Sequence, residues 1–67
     1  MPSDLDILRS ASVLIEHHGG DAKLEAATRA DAMLAKGDLD GHDVWLRIVQ
    51  AIDTLQYARR LNDDAMN

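Results

Sequence analysis

Two glycine-aspartate steps, Gly20 with Asp21 and Gly37 with Asp38, divide this chain into three stretches that each carry helical periodicity. Glycine takes the positive φ that closes a helix, and aspartate accepts from the free amides that open the next. The punctuation predicts an all-α fold, a compact three-helix domain with helices at about 4–18, 21–36 and 39–60. Residues 1–67 then form a single domain, with a polar tail at 62–67 that is expected to fray.

At about 100° per residue, Ile7, Leu8, Ala11, Leu14, Ile15 and His18 share one arc of the first helix, which Ser3 and Asp6 open. The second helix is alanine-rich, with Leu24, Ala26, Ala27, Ala30, Met33 and Leu34 as its apolar face. The third is the longest, with Val44, Trp45, Ile48, Val49, Ala51, Ile52, Leu55 and Ala58 on one side. Phenylalanine is absent and Trp45 and Tyr57 are the only aromatic residues, so Trp45 is the expected anchor of an otherwise aliphatic core.

A chain of 67 residues buries only roughly 60% of its unfolded surface, which leaves little net stability. Without cysteine it has neither disulfides nor thiolate metal sites to make up the difference. Association with another chain is the remaining common remedy.

The net charge of -5 argues against direct nucleic-acid binding, which relies on Lys and Arg to neutralise phosphates. Bases are outnumbered or merely matched in each third of the chain, so no basic face is expected. Acidic residues from Asp4 to Glu16 interrupt the N-terminal apolar positions, and no apolar run approaches the roughly 18 residues of a membrane span. The expected address is the cytoplasm.

His17, His18, Asp21 and His42 invite a metal site, but adjacent histidines on a helix point about 100° apart. Asp38, Asp40 and Asp43 resemble a fragment of a calcium loop without its closing bidentate glutamate, and a helix cap explains them better. Gly41, a glycine inside a helix, suggests close packing against helix 1. Ser10, Ser12, Thr28 and Thr54 lie in no recognisable catalytic setting, and a fold this small has little room for a ligand cavity. The reading is a non-enzyme with no metal or other cofactor.

The informative surplus is apolar. Leu39, Leu46, Tyr57 and Leu61 project within about 60° of one another, opposite Ile48 and Leu55, with Asp53 at their rim. Such a two-faced helix suits a protein partner or a homodimer, and makes a small protein-protein interaction module the leading expectation. The alternatives are a nucleic-acid-linked regulator reading through Arg47, Gln50, Gln56, Arg59 and Arg60, or an acidic inhibitor of a basic nucleic-acid-binding protein.

The segments HGGDA, RADAMLAKGDLDGHDVWLRI and AIDTL together resemble a family of short helical alphaproteobacterial proteins known as a domain of unknown function. The resemblance covers about residues 8–56, and its most specific part is the spacing of Gly37, Asp38, Gly41, Trp45 and Ile48. It implies a bacterial, cytoplasmic, helical protein and brings no catalytic residues with it. The turn AMLAKGDLDG is also similar to the inter-helix turn of tetratricopeptide repeats, but no second copy is present.

Overall fold

The computed structural model describes residues 2–65, and side-chain environments for residues 2–61. It is all-helical, with no strand among the described residues: α1 spans Asp4–His18, α2 spans Ala22–Ala35 and α3 spans Leu39–Ala65. Helix α3 carries five residues beyond the expected end near Arg60, so positions 62–65 of the polar tail are helical. Residues 66 and 67 lie outside the described part.

The expectation of three separated helices needs correction at the first glycine step. Gly19–Asp21 is a single 3-10 turn that runs directly into α2, so residues 4–35 are one bent helical run and α3 is a second. Only Gly19 adopts positive φ there, at 54°, and Asp21 makes no side-chain cap hydrogen bond. The 3-10 turn leaves no loop for Asp21 to close. Instead the amide of Gly19 donates to the Ile15 carbonyl, and Gln56 on α3 donates to the Gly19 carbonyl at 3.0 Å.

The second glycine step behaves as expected. Gly37, at φ 78°, donates to the Leu34 carbonyl while the Asp38 amide donates to Met33, the paired bonds of a Schellman ending. The opening of α1 is a reciprocal box: Asp6 N donates to Ser3 Oγ at 3.2 Å, and Ser3 N donates to Asp6 Oδ2 at 3.3 Å.

Helix α3 is the spine of a body measuring 46 × 22 × 16 Å. Lys23 meets Asp53 and Ala30 meets His42, so α2 runs antiparallel to α3. The α1 side runs in the same sense as α3, because Asp4 and Leu8 share a groove with Arg47 and Thr54 while Ser12 and Glu16 share one with Leu55 and Arg59. The core gathers Ile7, Ala11 and Leu14 from α1, Ala22 and Ala26 from α2, and Ile48 and Ile52 from α3. Ala30 continues the buried alanine line of α2.

Three sequence expectations shift. Ile52, not Trp45, is the one large side chain that is fully buried among the described residues, and Trp45 packs only half-buried at the edge of the core. The face of α2 is centred on Ala22, Ala26 and Ala30, leaving Leu24 and Leu34 exposed, because the smallest side chains bring its axis closest to α3. Leu8 and His18 on α1 are exposed as well.

Gly41 does not pack on α1. A Cβ there would sit 2.6 Å from Asp38 Oδ2 and 3.1 Å from Met33 Sδ. The reason is the cap of α3, in which the Gly41 amide donates to Asp38 Oδ1 at 2.9 Å and the carboxylate folds over the helix start. Gly41→Ala gains about 1 kcal/mol of helix propensity but displaces a cap of about the same value. Its net effect in the wild-type chain is therefore expected near zero. In an Asp38→Ala background no carboxylate remains to displace and only the Met33 side chain must give way, so the same substitution is expected to be more favourable there than in the wild-type chain by about 1 kcal/mol in denaturant titrations. Equal effects in the two backgrounds would show that Gly41 does not serve the cap.

Candidate functional site

The apolar stripe of α3 is where sequence periodicity places it. Leu39, Leu46, Tyr57 and Leu61 are 65%, 41%, 60% and 48% exposed, on the side of the helix away from Ile48 and Ile52. Between Leu39 and Leu61 the stripe extends about 33 Å at 1.5 Å per residue. Isolated exposed leucines are ordinary, and Leu5, Leu8, Leu24 and Leu34 are four more on the other helices. What sets the α3 residues apart is their alignment along one line of one helix.

Charged residues of both signs border that line, and Arg60 shares a surface hollow with Asp53 and Tyr57. Asp53 bonds Lys23 Nζ at 3.1 Å, with side chains 67% and 53% exposed, so it ties α2 to α3 while staying open to solvent. Asp43 lies 4.0 Å from Arg47 one turn along. Exposed pairs of this kind contribute about 0–1 kcal/mol and rearrange readily when a stronger partner arrives.

The histidines divide by role. His42 is half-buried and its Nδ1 lies 2.8 Å from the Ala30 carbonyl, which can only accept, so Nδ1 carries the proton and the ring pins α3 to α2. His17 and His18 line an open groove instead of meeting His42. Among the described residues no three His, Asp or Glu side chains converge as a metal site would require. Asp38 serves the α3 cap, and the Thr28 hydroxyl donates to the Leu24 carbonyl at 2.9 Å.

The groove at His17 and His18 is a feature that linear charge counting misses. Its walls are Arg9, Val13, His17 and His18 of α1 and Arg29 of α2, and Trp45 of α3 forms part of its floor. The Arg29 guanidinium carbon lies 5.1 Å from the centre of the Trp45 ring, and its Nε donates to Glu25 Oε1 at 2.9 Å. The bend at Gly19 thus brings Arg9 of α1 and Arg29 of α2, the latter paired with Glu25, to one groove. The only sequence signal was helical spacing, which puts Arg9, Val13 and His17 along one side of α1.

Among the described residues no helix is long and apolar enough to cross a membrane. Comparison with protein-family models, with curated proteins and with solved structures finds no match to this chain.

Proposed function

We propose that this protein is a small non-enzymatic interaction module that docks a basic, apolar protein segment along α3. The observation that supports this most is the aligned exposure of Leu39, Leu46, Tyr57 and Leu61. Burying such side chains contributes about 25 cal/mol per Å² of apolar area removed from water, before the costs of association. Leu46, Tyr57 and Leu61 form the centre, and Asp43 and Asp53 at the rim select Lys or Arg on the partner.

Charge chooses between a second copy and a different protein. Two chains of net charge -5 repel, and parallel α3 helices would set Asp43 and Asp53 against their own counterparts. A basic partner turns the same carboxylates into attraction. A nucleic-acid-binding protein held inactive by this acidic surface is one such partner. Three-helix packing, a cytoplasmic address and kinship with the alphaproteobacterial family belong to the same proposal.

The test uses a synthetic helical peptide with leucines on one face and lysines beside them, titrated by calorimetry. Leu46→Glu with Tyr57→Glu is expected to weaken binding more than tenfold, since each buried apolar anchor is worth about 1.5 kcal/mol or more. The direction is diagnostic because both substitutions add negative charge. Attraction by charge alone would tighten binding to a lysine peptide, and that result would overturn the docking reading. Leu24→Glu, on exposed surface of α2, is expected to leave it unweakened. Light scattering across a concentration series gives the competing outcome: a dimer abolished by the α3 double substitution would put a second copy on the stripe.

A further inference from the structure

We infer that the groove between α1 and α2 beside Trp45 is a second docking site, and that it takes an acidic peptide segment with an apolar anchor. The site lies apart from the α3 stripe and does not depend on it. Its case rests on charge complementarity: in a chain with twelve acidic and seven basic residues, Arg9 and Arg29 converge on one concave surface, where the rings of His17 and His18 add hydrogen-bonding groups. Its interior is apolar, with exposed Val13 and buried Leu14 beside the half-buried Trp45 ring.

Arg29 is held ready for a carboxylate. Glu25 engages its Nε and the indole lies under its guanidinium, which leaves the terminal amino groups to donate while the side chain is 49% exposed. A guanidinium fixed in this way loses less freedom on binding than a free one, and it presents its donors in a fork that matches a carboxylate. Arg9 offers the second cation from the α1 wall. Of the acids on α1, Glu16 lines the separate groove shared with Leu55 and Arg59, and Asp6, one turn before Ser10, turns its carboxylate back to the Ser3 amide.

A nucleic acid would also welcome arginines and an aromatic ring. The whole-molecule charge decides against it, because a polyanion extends well past the groove and meets the acidic remainder of the surface. A short acidic segment needs complementarity only within the groove. An apolar side chain of that segment lies against Val13 and Trp45 while its carboxylates reach Arg29 and Arg9.

Trp45 is the sole tryptophan, so its fluorescence reports occupancy directly. The probe is a short synthetic peptide of glutamates with two leucine anchors, lacking aromatic residues, titrated into the full chain at low salt. A saturable change in Trp45 emission is expected, and Arg29→Gln and Arg9→Gln are each expected to weaken the peptide about tenfold, the usual value of one charge-assisted hydrogen bond. A peptide with glutamine in place of glutamate is the first control. An equal response to it, no saturable response to the acidic peptide, or tighter binding of a single-stranded oligonucleotide would overturn the proposal. Circular dichroism of the variants excludes unfolding, and an Arg9→Lys chain that retains part of the affinity separates charge from fold. A Leu46→Gln, Tyr57→Gln chain, which loses the α3 anchors without adding charge, is expected to bind the acidic peptide normally, so failure of the α3 reading and failure of this one are distinguishable.

Discussion

Ile52→Ala is expected to leave the chain largely unfolded at room temperature. Ile52 is fully buried on α3, at the level where residues of α1 and α2 join the core. Isoleucine to alanine at such a site costs about 2–5 kcal/mol, from lost transfer energy and the cavity left behind. A single core in a domain of this size rarely supplies more than about 3–5 kcal/mol in total. The substitution therefore removes most of the stability instead of a fraction of it. Helical circular dichroism should fall sharply in buffer alone, and the denaturant transition should lose its folded baseline. Ile52→Val, which removes one methylene, should shift the midpoint by about 0.5–1.5 kcal/mol and keep cooperative unfolding. Leu24→Ala, at a side chain 67% exposed, should stay within about 0.5 kcal/mol of wild type. An Ile52→Ala chain with a near-native midpoint would mean the three core layers do not meet at this residue.

The sequence expectations fare differently for reasons that lie in particular residues. Helix starts and stops at Ser3 and at Gly37 with Asp38 were legible because caps are local: donor and acceptor are three to five residues apart, and residue type alone supplies the geometry. The step at Gly19 is less legible, because two glycines permit many backbone paths and the expected Asp21 cap does not form. The path taken carries a contact that no local pattern shows, Gln56, thirty-seven residues away, reaching the Gly19 carbonyl. Core membership was legible as a face but not as a centre. Periodicity grouped Trp45 with Ile52 on α3, yet only the placement of α1 and α2 decides which of them sits under cover.

The same distinction separates the two surfaces. Leu39, Leu46, Tyr57 and Leu61 lie on one helix, so their alignment follows from a spacing of 3.6 residues and could be read in advance. Arg9 and Arg29 are on different helices and become neighbours of one groove only through the bend between α1 and α2. The two faces differ in make-up: an apolar line on α3 bordered by Asp43 and Asp53 with Arg47 and Arg60 beside them, and a hollow beside Trp45 lined by Arg9 and Arg29.

Ala26→Leu is the second substitution with a large expected effect, and it tests how close α2 lies to α3. Ala22, Ala26 and Ala30 recur every fourth residue and are buried almost completely. Helices that meet through alanine can sit near the lower end of the usual interaxial range of about 8–10 Å. Leucine at the middle position has no space to enter, so it must push α2 outward or take a strained rotamer, at a cost of about 1–3 kcal/mol. Pushing α2 outward also pulls the Ala30 carbonyl away from His42 Nδ1, now 2.8 Å apart, so the half-buried ring loses its partner. Ala26→Gly creates almost no void and costs about 1 kcal/mol through helix propensity alone. The expected order of stability in urea is wild type, then Ala26→Gly, then Ala26→Leu, with the leucine variant also showing faster exchange of the His42 ring proton in nitrogen-resolved NMR. If leucine were tolerated better than glycine, the α2 and α3 axes would have to stand farther apart, and the buried alanine line would not be what brings them together.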